Sequence, residues 1–286
     1  MATNSKAAQS LKVPKSILAT GKFLQFLSPR LAARFAAKMF TTPFKHKLPK
    51  REMDMDRKSL QETIAIKSLN KNVVVYRYGT GEKTILLVHG WSGRGTQLVK
   101  FAETFSKAGY SILSFDAPAH GKSSGKTSIM TEFIATILEL EKQFGPFEAA
   151  IGHSLGGMSL LNSVKRGLKI NRLVSIGSGD IIQDIIDEFI EKLGLKPIVG
   201  TLMRAQFEKR SGESMDEYSS WRAAKHTHIP TLVIHDSDDI EVPVKCAHHI
   251  YDHLPNGELM ITSGLGHRKI LGSQKVIAKT LDFISG

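Results

Sequence analysis

Among 286 residues there is a single cysteine, Cys246. One thiol excludes an intrachain disulfide framework and a cysteine-cluster zinc site, and it fits a reducing interior. No apolar run approaches the roughly 18 residues that would suggest a membrane-spanning helix. With 10 prolines and 24 glycines the chain is neither collagenous nor of low complexity, so most of it should fold. Acidic residues are missing altogether before Glu52. Thirteen of the 39 Lys and Arg, but only three of the 27 Asp and Glu, fall in residues 1–60, which leaves the remainder close to neutral. A uniformly basic fold would suggest a nucleic-acid surface, whereas a basic arm on a near-neutral domain does not, and no nucleic-acid partner is expected. The chain therefore reads as a basic extension over 1–60 and a domain over 61–286.

Within the arm, Leu27, Leu31, Phe35 and Met39 recur every four positions beside a row of Arg30, Arg34 and Lys38. This is the pattern of an amphipathic helix. Ser28 followed by Pro29 resembles an N-cap with proline at the first helical position, which predicts two short helices, about 16–27 and 29–40. Three readings of the arm stay open. Its apolar stripe packs on the protein's own domain, or it contacts a membrane surface peripherally, or it is a mitochondrial presequence. A secretory signal fits poorly, because lysines interrupt the apolar core. A cytoplasmic location, with or without membrane contact, is the expectation.

From about residue 62 short apolar runs alternate with segments of helical period. Strands are expected at 63–67, 73–78, 84–88, 111–115, 149–151, 172–176, 231–235 and 258–262. One helix is marked by Leu98, Phe101, Ala102 and Phe105, and a second by Met130, Phe133, Ile134, Ile137 and Leu138. Such alternation implies an α/β fold with a mostly parallel eight-stranded sheet covered on both faces, the first two strands forming an antiparallel hairpin at the edge. The long interval 180–226, with Ile181, Ile185, Phe189, Leu202, Phe207 and Trp221, reads as an inserted helical cap that would cover a hydrophobic group.

The strongest chemical signal is GHSLGG, Gly152 to Gly157, directly after a buried apolar run and directly before a helical segment. A sharp strand-to-helix turn of this kind strains the serine and brings the residues two before and two after it against neighbouring backbone, a demand that Gly152 and Gly156 meet. The turn, with His153 inside it, presents Ser154 at a helix N-terminus as a candidate nucleophile. A serine hydroxyl needs an imidazole to remove its proton. His267, in GLGH after the last strand, has the required position, with His248, His249 and His253 as weaker candidates. The imidazole needs a carboxylate to fix its tautomer. In HDSDDIEVP, residues 235–243, Asp239 is the choice, with Asp238 and, less strongly, Asp180 as alternatives. A tetrahedral oxyanion needs two donors, for which the backbone N–H groups of Leu155 and of Trp91 in HGWSG, residues 89–93, are the candidates.

Two decoys fail. GKSSGKT, residues 121–127, imitates a phosphate-binding loop, but the required first glycine falls on His120. The histidines at 226, 228, 235, 248 and 249, with Asp236, lack the spacing of a metal-ligand set, so neither a metal nor a cofactor is expected.

Four blocks, HGWSG at 89–93, FDAPAHGKS at 115–123, GHSLGG at 152–157, and HDSDDIEVP with GLGH near the end, resemble those of the α/β-hydrolase superfamily over about residues 62–286. The family commonly has glycine where Ala119 stands in the second block and where Asp236 stands in the acid block. The order serine, acid, histidine is that of this fold class. Serine at the elbow sets the chain apart from the members whose nucleophile is aspartate or cysteine. The resemblance implies a capped serine esterase or lipase-like enzyme acting on a small-molecule ester through an acyl-enzyme. Peptide, thioester and carbon–carbon bond cleavage use the same triad, and a noncatalytic scaffold binding a membrane or partner through the basic arm is the contrasting reading.

Overall fold

The structure is a computed structural model that describes residues 13–286. The first twelve residues of the basic arm lie outside the described part. Eight strands are present: β1 (Leu60–Ile66), β2 (Lys71–Tyr78), β3 (Thr84–Val88), β4 (Ser111–Asp116), β5 (Phe147–His153), β6 (Ile170–Ile176), β7 (Thr231–Asp236) and β8 (Gly257–Thr262). The α-helices are α1 (Lys15–Leu27), α2 (Pro29–Thr41), α3 (Met53–Lys58), α4 (Val99–Lys107), α5 (Met130–Phe144), α6 (Leu155–Lys165), α7 (Ile182–Lys192), α8 (Pro197–Ser211), α9 (Ser220–Ala224), α10 (Lys245–Tyr251), α11 (Gly266–Lys269) and α12 (Gln274–Ser285). They fall into two compact units. A helical unit holds the described residues up to Phe40 with Gln183–Glu213, and a sheet unit holds Thr41–Ile182 with Ser214–Gly286.

In the sheet unit the strand order is β1-β2-β4-β3-β5-β6-β7-β8. β2 runs antiparallel to β1 and to β4, and every other pair is parallel. The parallel strands are apolar throughout because both faces are covered. Leu86 and Val88 of β3 point into a core with Phe133 and Ile137 of α5 and Leu160 and Leu161 of α6. Ile85 and Leu87, one residue out of phase, point into a second core with Phe101 and Phe105 of α4 and Val276 and Ile277 of α12. Each such side chain contributes about 1.5–3 kcal/mol of burial. The order reverses between β3 and β5, and in open α/β sheets the crevice at such a reversal, beyond the carboxyl ends of the strands, is where ligands bind. Trp91 follows β3 and Ser154 follows β5, so the two candidate residues flank that crevice.

In the helical unit the expected break at Ser28 is a true cap: its Oγ accepts the Arg30 N–H at 3.2 Å, and Pro29 opens α2. The apolar row of the arm divides. Phe35 and Met39 are half-buried, but Leu27 and Leu31 are exposed, and the buried face of α2 is instead Ala32, Ala33 and Ala36. The ring of Phe40 packs edge-on against Phe189 at 5.1 Å and lies 6.0 Å from Phe207. Two residues expected in a substrate-covering cap thus pack around the end of α2.

These units are drawn differently from a 1–60 extension and a 180–226 insertion. Residues 41–60 group with the sheet unit because Glu52 is buried there, accepting the Thr96 hydroxyl at 2.8 Å, while Arg94 donates to the His46 carbonyl at 2.6 Å. The stretch 214–226 groups with it too, since Asn162 of α6 donates to the Tyr218 carbonyl at 2.9 Å and the Trp221 N–H donates to Asp180 Oδ1 at 2.8 Å.

Candidate active site

The turn from β5 into α6 is as tight as its glycines suggest. A Cβ on Gly152 would lie 2.6 Å from the Gly156 carbonyl carbon, and one on Gly156 would lie 2.3 Å from the Val88 carbonyl oxygen. No side chain fits at either position. Ser154 between them takes φ 53° and ψ −121°, a left-handed conformation that costs an L-residue of order 1–3 kcal/mol and is held by its surroundings. Its N–H donates to the Ile176 carbonyl at 2.8 Å, and its own carbonyl accepts from Gly157 and Met158 as α6 begins. Leu155 opens that helix, where first-turn N–H groups have no partner within the helix and carry positive partial charge.

The loop after β3 lies against this elbow: a Cβ on Gly90 would be 3.1 Å from Ser154 Cβ. A turn closed by the Gly93 N–H on the Gly90 carbonyl, 3.0 Å, encloses Trp91 and Ser92 and does not use the Trp91 N–H. His89 locks the loop. Its Nε2 accepts the Ala117 N–H at 3.0 Å, so Nδ1 carries the proton and donates to the Gly90 carbonyl at 2.7 Å. Burial pushes the imidazole down to about 4, in keeping with a neutral ring. Gln97 Oε1 accepts the Gly90 N–H at 2.8 Å.

His267 stands in the first turn of α11, and its Nδ1 donates to Asp239 Oδ2 at 2.7 Å. Its ring lies beside Gly177, the residue after Ile176, where a Cβ would be 3.4 Å from Nδ1. His153, the neighbour of Ser154, packs against it at a tilt of 45° with ring centroids 4.6 Å apart, and donates from Nε2 to the His267 carbonyl at 2.9 Å. Burial, with the His267 charge next in size, pushes His153 down to about 3, so it acts as a neutral clamp. Asp239 is buried, which opposes its charge. Hydrogen bonding from His235 and His267, the His267 charge and the Val242 N–H outweigh that and hold it well below the usual carboxylate range. Its Oδ1 accepts the Glu241 and Val242 N–H groups at 2.8 and 2.9 Å.

The alternatives lie elsewhere. Asp238 is exposed and accepts the Gly264 N–H at 2.8 Å. Asp180 pairs with His249 Nδ1 and the Trp221 N–H, and burial raises its pKa. His253 donates from Nδ1 to the His249 carbonyl, and His248 is exposed on α10.

Two contributions go beyond the motifs. His153, expected only as an elbow residue, clamps His267, and Asp236 is the other. Fully buried at the end of β7, Asp236 accepts the Asp238 and Gly266 N–H groups on Oδ1 at 3.1 and 2.9 Å. Its Oδ2 accepts the Thr262 hydroxyl at 2.7 Å and the Leu265 N–H at 3.2 Å. Burial works against the charge, yet these donors keep its pKa below the usual range. One carboxylate so ties the loop carrying Asp239 to the loop carrying His267. The only sequence signal was its departure from the glycine common at this place.

A family model described as the alpha/beta hydrolase fold matches residues 83–202, the stretch containing the crevice, the elbow and both candidate oxyanion donors. That stretch matches the family, and the chain as a whole has the α/β-hydrolase fold. Solved structures agree in fold. A putative lipase from Acinetobacter baumannii is 16% identical, with a TM-score of 0.64 over 84% of this chain and 97% of that one. An esterase from Exiguobacterium antarcticum is 15% identical, with a TM-score of 0.62 over 79% and 100%. A membrane phospholipase A is 15% identical, with a TM-score of 0.64 over 95% and 96%. Comparison with curated proteins gives no match.

Proposed function

We propose that this α/β hydrolase is a serine enzyme that cleaves a small-molecule carboxylic ester with a hydrophobic acyl or alcohol group. The observation that carries the reading is the 2.7 Å bond from His267 Nδ1 to a buried, anionic Asp239, beside a serine held at φ 53° at the mouth of the sheet crevice. With its proton fixed on Nδ1, His267 has its Nε2 lone pair for the Ser154 hydroxyl proton. The alkoxide attacks the ester carbonyl, and the oxyanion settles on the Trp91 and Leu155 N–H groups, each worth about 2.7–4 kcal/mol of transition-state stabilisation. His267 then protonates the departing alcohol, and water releases the acid by the same route. Preference for an ester draws support from the putative lipase, the esterase and the membrane phospholipase A that share the fold.

Labelling by a fluorophosphonate probe, with p-nitrophenyl esters of graded chain length, tests this. The wild-type chain should label and turn over the longer acyl esters, and Ser154→Ala should lose labelling and on the order of 10⁴-fold or more in kcat. Unchanged ester turnover by Ser154→Ala refutes the nucleophile. An unlabelled wild-type chain favours a noncatalytic scaffold, and faster turnover of thioesters or peptides moves the bond type while keeping the triad.

A further inference from the structure

We propose that the outer face of α1, continued by Leu31 at the start of α2, docks on an anionic lipid bilayer. Phe26 is 87% exposed, Phe23 61%, Leu27 56% and Leu31 41%. Single exposed apolar residues are ordinary, but four large ones within nine positions form a patch. Helical geometry explains which side they occupy. Gly21 and Gln25, four apart, face the protein: a Cβ on Gly21 would touch Leu195 at 3.3 Å, and Gln25 Oε1 accepts the Lys196 N–H at 2.6 Å. At about 100° per residue, Phe23, Phe26 and Leu27 then point the opposite way. Folding of the helical unit uses one side of α1 and leaves its bulkiest side chains in water.

Charge selects the occupant. Lys15 and Lys22 run along the edge of that face of α1, Arg30 and Arg34 lie beside Leu31 on α2, and all four are exposed. Neither helix contains an Asp or Glu. A second copy of this chain would bring the same cations against them, whereas an anionic headgroup layer complements the charges and accepts the Phe and Leu tips at its acyl boundary. Each basic residue near such a surface strengthens partition about fivefold. No helix among the described residues is long and apolar enough to cross a membrane, so contact through this face is peripheral. The binding is independent of the hydrolase reading, because it is measured without turnover.

Sedimentation of the full-length protein with vesicles tests the proposal. Partition into vesicles of phosphatidylcholine with phosphatidylserine should exceed that into phosphatidylcholine alone by at least about tenfold and should weaken with added salt. The double variant Phe23→Ser, Phe26→Ser should lose about tenfold or more, as should Arg30→Glu, Arg34→Glu, with the melting temperature of each unchanged. Met53→Ser, an exposed apolar residue of α3, should bind like the wild type. Equal partition into the two vesicle types, absence of binding, or binding indifferent to the phenylalanines overturns the proposal. So does a concentration-dependent dimer, seen by light scattering, that Phe26→Ser abolishes, since the face then belongs to a second copy.

Discussion

All eleven histidines of the chain lie in the sheet unit, and the helical unit has none among its described residues. Around the elbow, position is fixed by directed bonds: His89 to two loops, His153 to His267, Asp239 to His267, Asp236 to four donors. In the helical unit it is fixed by buried alanines and the Phe40, Phe189 and Phe207 rings. Directed bonds specify angle and protonation state, which proton transfer needs. Ring and methyl packing specifies only proximity and tolerates rearrangement.

Acid should separate the two most. Burial is the main cause that pushes His89 down to about 4 and His120 and His153 to about 3, against about 6.5 in the unfolded chain. The folded-state values are depressed, so the unfolded state binds more protons below pH 6.5. Stability is fully present above that pH and falls as the pH drops towards the folded values, by up to about 1.4 kcal/mol per pH unit for each histidine. Asp239, also depressed, adds its own loss only below about pH 4. Urea midpoints from pH 7 to pH 4 should fall steeply, and a flat profile would break the contrast.

Asp236→Ala comes next. It leaves four donors without their shared buried acceptor and should cost about 3 kcal/mol or more in denaturant titration. Because those donors lie on the loops of Asp239 and His267, ester turnover by the folded fraction should fall as well. Phe40→Ala should cost about 2 kcal/mol, seen as faster amide exchange in α1, α2, α7 and α8 with β5 and α6 unchanged.

The smallest effect sits in the second family block. Ala119 takes φ 65°, a conformation suited to the glycine commonly found there. Ala119→Gly should therefore stabilise by about 0.5–1 kcal/mol, read as a higher urea midpoint.

The eight strands were legible because each is a short apolar run bounded by turn residues. Even so, β5 reaches from Phe147 to His153 where only 149–151 looked strand-like, since pairing of His153 with Ile176 extends it through a glycine. Ser154 and His267 were legible through glycine context. Spacing favours Asp239 but leaves Asp238 open, and the difference lies in the Glu241 and Val242 N–H groups that turn the Asp239 carboxylate inward. The buried face of α2 is not legible from its large apolar residues, because α2 buries alanine. Asp236 is not recognisable as a support because its partners are three backbone N–H groups and the Thr262 hydroxyl, up to 30 positions away.

Its four bonds carry an engineering consequence. The segments 236–243 and 262–267 behave as one cassette, and transplanting either alone into a related scaffold with glycine at the first position would leave the graft without its clasp.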